Sequence, residues 1–336
     1  NRQQDGEGVV KEAGEWAARI ILEEMIKKTL SDQMQIAFDV FTSEKREVIE
    51  QGYVEKAFGI LKEKGLTFEE EGALWLRTSA FGDDKDRVLV KSDGTRTYFA
   101  SDCGYILSKM DRGFTRLILT LGADHHGYRA RLEAAAQALG FVGRFDFIFV
   151  QLVRLMKDGQ EVRMSKRAGN VVSIDELIER VGPDVARFFF LMYSPDTHMN
   201  FDLGLAEERS QKNPVYYVQY AHARLASILR KAEESRLNPD QGNALLLVDP
   251  KERLLLAELI SFPDLILDTA EDYAVHRLPQ YAIRLADRLH SFYDACRVID
   301  AEQPEISEAR LRLVKSAKIV LSETLRLIGV SAPEKM

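Results

Sequence analysis

Arg116–Leu155, RLILTLGADHHGYRARLEAAAQALGFVGRFDFIFVQLVRL, is the stretch that decides the fold. RLILTL is a short apolar run of strand character, and the Ala-rich RARLEAAAQALG reads as a helix that stops at Gly140. FDFIFVQLVRL is a second apolar run. Strand, helix and strand in this order predict a parallel sheet of Rossmann type. Ligands of such sheets bind outside the carboxyl ends of the strands, which is where GADHHGY falls. Gly122 permits close backbone approach there, and Asp124, His125 and His126 offer acceptors, donors and a titratable ring. The same residues also read as an N-cap, Asp124, with two surface histidines. Adjacent histidines seldom point at one ion and no third ligand lies nearby, so no metal site is expected.

Upstream, Lys11 to Lys64 reads as helical, with Trp16, Ile20 and Ile21 on one face and Val54, Phe58 and Leu61 repeating the pattern. Between them MQIAFDVFTSE, Met34–Glu44, has the composition of a short strand. From Ala73 to Ala100 three strands are predicted, ALWLRTSAF, RVLV and TRTYFA, separated by GDDKD and SDG. GDDKD is read as an acidic turn rather than a magnesium site. A helix is expected from Asp102 to Met110. TYFASD would then put Tyr98 at a strand end and Asp102 at a helix start. A carboxylate and a phenol so placed can grip a cation, and they can equally be an N-cap and a core tyrosine.

Downstream, KDGQ predicts a hairpin leading into VRMSKRAGN, Val162–Asn170. Lys166, flanked by Arg163 and Arg167, suits negative charge building on phosphates, with Ser165 as an added donor; a solvated basic loop is the plainer alternative. SIDE, Ser173–Glu176, has the form of a capping box for a helix that ends at Gly182-Pro183. Beyond about Leu205 long amphipathic helices are predicted to the end, with NPDQGN, Asn238–Asn243, as a loop between them. In the last helix Leu313, Val314, Ala317, Val320, Leu321, Thr324 and Ile328 form a stripe opposite Arg312, Lys315 and Arg326. Tyr216, Tyr217, Tyr220 and His222 crowd one helix and could stack on unpaired bases, or belong to the core.

The 336 residues suggest about two domains. Two cysteines, Cys103 and Cys296, in no metal spacing fit a reducing cytoplasm. No apolar run is long enough to suggest a membrane span, and the polar start reads as no signal peptide. A net charge of −7 argues against gross attraction to a polyanion, so a nucleic-acid partner would need a local basic surface.

Together these motifs resemble one family, the arginyl-tRNA synthetases of class I, from about Ala37 to Met336. The resemblance rests on GALWLRTSAFGDDKDRVLVKSDGTRTYFASD, GADHHGYRARLEAAAQALG, VRMSKRAGN, FFFLMYSPDTHMNFDLGLAEERSQKNPVYYVQYAHAR and LIGVSAPEKM. Arg163–Arg167 resembles the KMSKS signature, with Met164, Ser165 and Lys166 intact. The resemblance implies that Tyr98, Asp102 and His125 contact arginine. It implies that Gly122, Asp124, His126 and Arg163 lie on the ATP side, and that Lys166 stabilises the ATP phosphates. It further implies that Tyr216, Tyr220, His222 and Met336 approach the anticodon.

The implied fold is α/β plus all-α. An incomplete Rossmann-type catalytic domain with inserted helices and hairpins would span 1–204, followed by a helical DALR-type anticodon-binding bundle at 205–336. The implied activity is ATP-dependent attachment of L-arginine to tRNA-Arg by a cytoplasmic enzyme, a monomer when complete, with Mg²⁺ accompanying ATP. One departure stands out: the family's His-x-Gly-His signature has no match, since no Gly-His pair occurs in the chain. The chain is therefore expected to be a C-terminal portion that shows no activity alone, or else a stand-alone tRNA-binding module without catalysis.

Overall fold

The computed structural model describes residues 2–162 and 173–336, with residues 2–7 and 11 by their backbone alone. Two compact units emerge. One comprises Phe38–Leu152 with Pro195–His198, and the other Asn1–Ala37, Val153–Ser194 and Met199–Met336.

In the chain's first part, helix α1 (Arg2–Ile20) runs on into wider π-type turns at Ile21–Ile26 and Thr29–Gln33. The predicted helix is present, but its apolar face is not buried: Trp16 and Ile21 are exposed. The strand expected over Met34–Glu44 is absent. That stretch crosses from one compact unit to the other at Ala37 and Phe38, pairs with no strand, and leaves Phe38 and Val40 exposed. Strand propensity expresses itself through cross-strand packing, and here none is offered. The Ser43 side chain instead accepts from Arg46 N and opens a helical turn at Glu44–Ile49.

The Phe38–Leu152 unit continues with α2 (Tyr53–Glu63) and an antiparallel meander of β1 (Thr67–Glu70), β2 (Ala73–Leu76) and β3 (Arg87–Val90). The GDDKD turn is held by Arg87, whose Nε donates to Asp83 Oδ2 at 2.7 Å, an acidic turn closed on its own cation. TRTYFA is not a third long strand. It makes one bridge, Val90 to Arg96, and then Thr97 caps α3 (Tyr98–Asp111). The Thr97 hydroxyl accepts from Ala100 N and donates to Val88 O, so a β-rich run becomes a cap pinned to β3. Helix α3 thus begins four residues before the expected Asp102.

The deciding stretch folds as β4 (Arg116–Gly122), α4 (Tyr128–Leu139) and β5 (Arg144–Val150). The strands are parallel and in register from Arg116 with Arg144 to Gly122 with Val150. Ala134, Ala135, Ala136 and Ala138 are buried, and such small residues let α4 pack closely. Gly140, at φ 98°, ends the helix with its N–H on Ala136 O. FDFIFVQLVRL is two strands rather than one, because pairing stops at Val150. The Gln151 N–H then donates to Pro195 O at 2.8 Å. The core of this unit gathers Val54, Leu61, Leu76, Leu89, Phe99, Leu132 and Leu139.

In the other unit β6 (Val153–Lys157) pairs with β7 (Gln160–Glu161) across Asp158 and Gly159, both at positive φ, the turn that KDGQ predicts. The capping box of Ser173 and Glu176 opens α5 (Ile174–Val181), and Pro183 starts α6 (Pro183–Leu191). Strand β8 (Met199–Asp202) runs parallel to β6, followed by α7 (Leu203–Glu207). The bundle consists of α8 (Pro214–Glu234), α9 (Pro250–Ile260), α10 (Phe262–Asp272), α11 (Arg277–Ala295) and α12 (Pro304–Leu327). Its stripe is as read: Leu313, Val314, Ala317, Leu321 and Thr324 are buried and Arg312 is exposed. One core runs from Leu155 through Phe188 and Phe201 to Leu225, Leu285 and Leu321. Packing therefore joins β6, α6 and β8 to the bundle, without a break at residue 205.

Candidate active site

Because α3 starts at Tyr98, Tyr98 and Asp102 stand four residues apart on one helical face, and Ser101 and Tyr105 extend it. These four side chains line a cavity of about 230 Å³, closed by Thr42, Glu44 and Val48. Tyr98 sits at its mouth, 85% exposed, whereas Asp102 is half-buried. Burial pushes the Asp102 carboxyl up to about 6, and the nearby Glu44 carboxylate adds to the rise; Arg131 and Lys109 oppose it. Two carboxylates and two phenols around a small cavity have the chemistry to receive a planar cation with several donors.

Sequence reading missed Glu44, Tyr105 and Ser101. Tyr105 could have been found from the helical spacing of Tyr98 and Asp102. Glu44 could not, because it lies 58 residues before Asp102, in a stretch read as a strand, and only the tertiary fold brings them together.

At the carboxyl ends of β4 and β5 the second group of expected residues appears. A side chain on Gly122 would come within 2.6 Å of Asp124 Oδ1, so glycine leaves room for that carboxylate to fold back. The His126 ring lies flat on Phe149, with centroids 3.9 Å apart. His125 does not line the cavity of Tyr98 and Asp102. Its Nε2 is 3.6 Å from Asp124 Oδ2, and its ring meets Tyr128 edge-on at 5.5 Å. Phe149, a flat apolar surface at the strand end, was not anticipated. Arg163, Met164, Ser165 and Lys166 lie outside the described residues. Among the described residues no cluster of His, Cys, Asp or Glu could hold a metal ion, and no helix is long and apolar enough to cross a membrane.

On the bundle, Tyr220 and Met336 line a common cavity of about 770 Å³, together with Arg224, Arg230, Tyr293 and Arg297. The Arg224 guanidinium carbon stands 4.0 Å from the centre of Tyr293 and 5.8 Å from that of Tyr220. Tyr220 also stacks on His290. The other two expected residues are placed differently. Tyr216 packs against the core, and His222, 1% exposed, donates from Nδ1 to Pro333 O at 2.9 Å. Arg224 and Tyr293 were missed, although Arg224 follows Tyr220 by one helical turn.

Comparison with known proteins accords with this arrangement. Residues 10–186 match the catalytic domain of class I tRNA synthetases (R), and residues 218–336 match the DALR anticodon binding domain. The chain is 49% identical over 315 residues to an arginine–tRNA ligase of Bacillus subtilis, covering 93% of this chain and 56% of that protein. It thus spans a little over half the length of that relative. An arginyl-tRNA synthetase structure from Campylobacter jejuni superposes with a TM-score of 0.84 at 32% identity, over 96% of this chain and 69% of that one. The Thermus thermophilus arginyl-tRNA synthetase gives 0.71 at 25% identity, over 86% of this chain and 59% of that one. With its parallel β4–α4–β5 unit, its helical bundle and these matches over both, the chain belongs to the arginyl-tRNA synthetase family of class I.

Proposed function

We propose that this chain carries the arginine-recognition, adenosine-side and anticodon-facing parts of an arginine–tRNA ligase. The parent reaction joins ATP and L-arginine to give arginyl-adenylate and pyrophosphate, and then transfers the arginyl group to tRNA-Arg. The observation that carries this reading is the cavity in which Glu44 and Asp102 meet beside Tyr98 and Tyr105. A guanidinium offers five N–H donors in one plane, and paired carboxylates satisfy it where a lysine ammonium would leave acceptors unused.

The chemistry asked of the protein is positioning and charge stabilisation, without a protein nucleophile. Asp102 and Glu44 hold the guanidinium and so fix the far end of the substrate. Gly122, Asp124 and the His126–Phe149 stack form the adenosine side, at the strand ends where open α/β sheets bind nucleotides. Lys166, with Ser165 and Met164, is assigned to the departing phosphates, and Arg163 to the ATP side. Mg²⁺ arrives on the ATP phosphates as part of the substrate. Tyr220, Arg224, Tyr293 and Met336 form the surface for unpaired anticodon bases. Residues 1–204 and 205–336 are assigned to the catalytic and anticodon-binding domains of a cytoplasmic, monomeric enzyme.

Calorimetric titration with L-arginine and L-lysine tests the carrying observation. Binding of arginine in preference to lysine, lost in Asp102→Asn, is expected; equal binding of both would refute the assignment. No Gly-His pair is present, so the 336-residue chain is expected to give no ATP–pyrophosphate exchange with arginine and tRNA-Arg. Anticodon stem-loop binding without exchange would fit either an inactive portion or a stand-alone tRNA-binding module.

A further inference from the structure

Asp102 faces a second carboxylate across a small cavity, a costly arrangement for two anions when no ligand is bound. What stands behind it is unusual. Along α3, Phe99 lies one turn before Asp102 and Tyr105 one turn after. A cation covers each ring: the Arg131 guanidinium carbon is 5.9 Å from the centre of Phe99, and Lys109 Nζ is 4.2 Å from that of Tyr105. Arg131 comes from α4 and is steadied by Tyr128, 4.4 Å from its ring centre. Both cations are half-buried. Among the described residues neither has a carboxylate ion-pair partner, and Arg131 Nε is buried without a hydrogen-bond acceptor. On the same helix as Arg131, Arg129 by contrast pairs locally with Glu133.

We propose that Arg131 and Lys109 are positioning residues of the guanidinium pocket: they bracket Asp102 along α3 and hold its carboxylate ionised before substrate arrives. This deepens the proposed arginine recognition and rests on it. The charged groups bearing on Asp102 are Glu44 from the helical turn, Arg131 from α4 and Lys109 from α3 itself. The first disfavours the anion and the other two favour it. Burial and Arg112 work against the charge on Lys109, and Asp102 works for it, so the support is mutual. Neither cation lines the cavity, so neither competes for the guanidinium's place.

The test reads Asp102 directly. Carbon-13 carboxyl NMR of the 336-residue chain gives the Asp102 titration midpoint in wild type, Arg131→Met, Lys109→Met and Arg131→Lys. Both methionine variants are expected to raise the midpoint by about half a pH unit or more, and Arg131→Lys to return it towards wild type. L-Arginine affinity should fall several-fold in the methionine variants below about pH 6, where the carboxyl titrates, and change little near pH 8. An unmoved midpoint in both methionine variants, or an equal loss of affinity at both pH values, would overturn the proposal. If Arg131→Met does not fold, Lys109→Met decides alone. Wild-type protein that binds no arginine would sink the recognition reading, and the midpoint would still decide the bracket.

Discussion

In the proposed function most of the chemistry turns on Asp102, and the environment of that residue sets a pH dependence. Its folded-state value of about 6 lies above the ordinary 3.8, so the anion is disfavoured in the fold and the folded state loses stability as pH rises between those values. A bound guanidinium reverses the preference, because it interacts with the anion. Arginine affinity should therefore be flat above about pH 6 and fall up to about tenfold per unit below it, the limit for one required proton loss. Calorimetry across that range checks this, and a flat profile down to pH 5 would remove Asp102 from the contact. Glu44→Gln gives the complementary outcome: removing a like charge moves the acid limb to lower pH while plateau affinity drops by about ten- to a hundredfold. That drop corresponds to about 1.5–3 kcal/mol for a charge-assisted hydrogen bond. TYFASD marked Tyr98 and Asp102 as a candidate pair, although with Tyr98 on a strand rather than on α3; Glu44 was not legible, because no local pattern encodes a contact across 58 residues.

Among the elements, α6 ties distant segments of its own unit together. Arg187 Nε donates to Ile328 O at 3.0 Å, at the end of α12, and Nη1 donates to Met34 O at 2.5 Å. Gly329 follows at φ 66°, where a side chain would strike the Arg187 guanidinium 2.3 Å away. Arg187→Ala strands two carbonyls and is expected to destabilise this unit by about 1–3 kcal/mol. Arg187→Lys should rescue only part, since an ammonium cannot span the two acceptors as a fork does. Urea unfolding followed by far-ultraviolet dichroism measures both, and full rescue by lysine would refute the fork. Elements with strong local signals were legible: the capping box at Ser173, the Asp158-Gly159 turn and the stripe of α12. The misread ones share a cause, since Met34–Glu44 has strand composition without a partner strand and TRTYFA makes only one bridge to β3, and side-chain caps at Ser43 and Thr97 took them instead.

For the molecule as a whole, a net charge of −7 has to be reconciled with the polyanionic partner that the proposed function requires. The reconciliation is local: Arg224, Arg230, Lys231, Arg297 and Lys335 gather around the cavity of Tyr220, Tyr293 and Met336. An anticodon surface of this kind would divide its labour between stacking, which is insensitive to salt, and phosphate neutralisation, which is not. Tyr220→Ala should weaken binding of an anticodon stem-loop by about 1–3 kcal/mol while leaving the salt dependence unchanged. Arg297→Ala should instead lower the slope of log affinity against log salt by about one. Arg224 stands between two rings, and its loss should show both effects, a flatter slope and weaker stacking, because its cation also fixes Tyr293. Fluorescence anisotropy with a labelled stem-loop at several salt concentrations separates the three variants. Identical behaviour of all three would mean that the cavity is not where the bases bind.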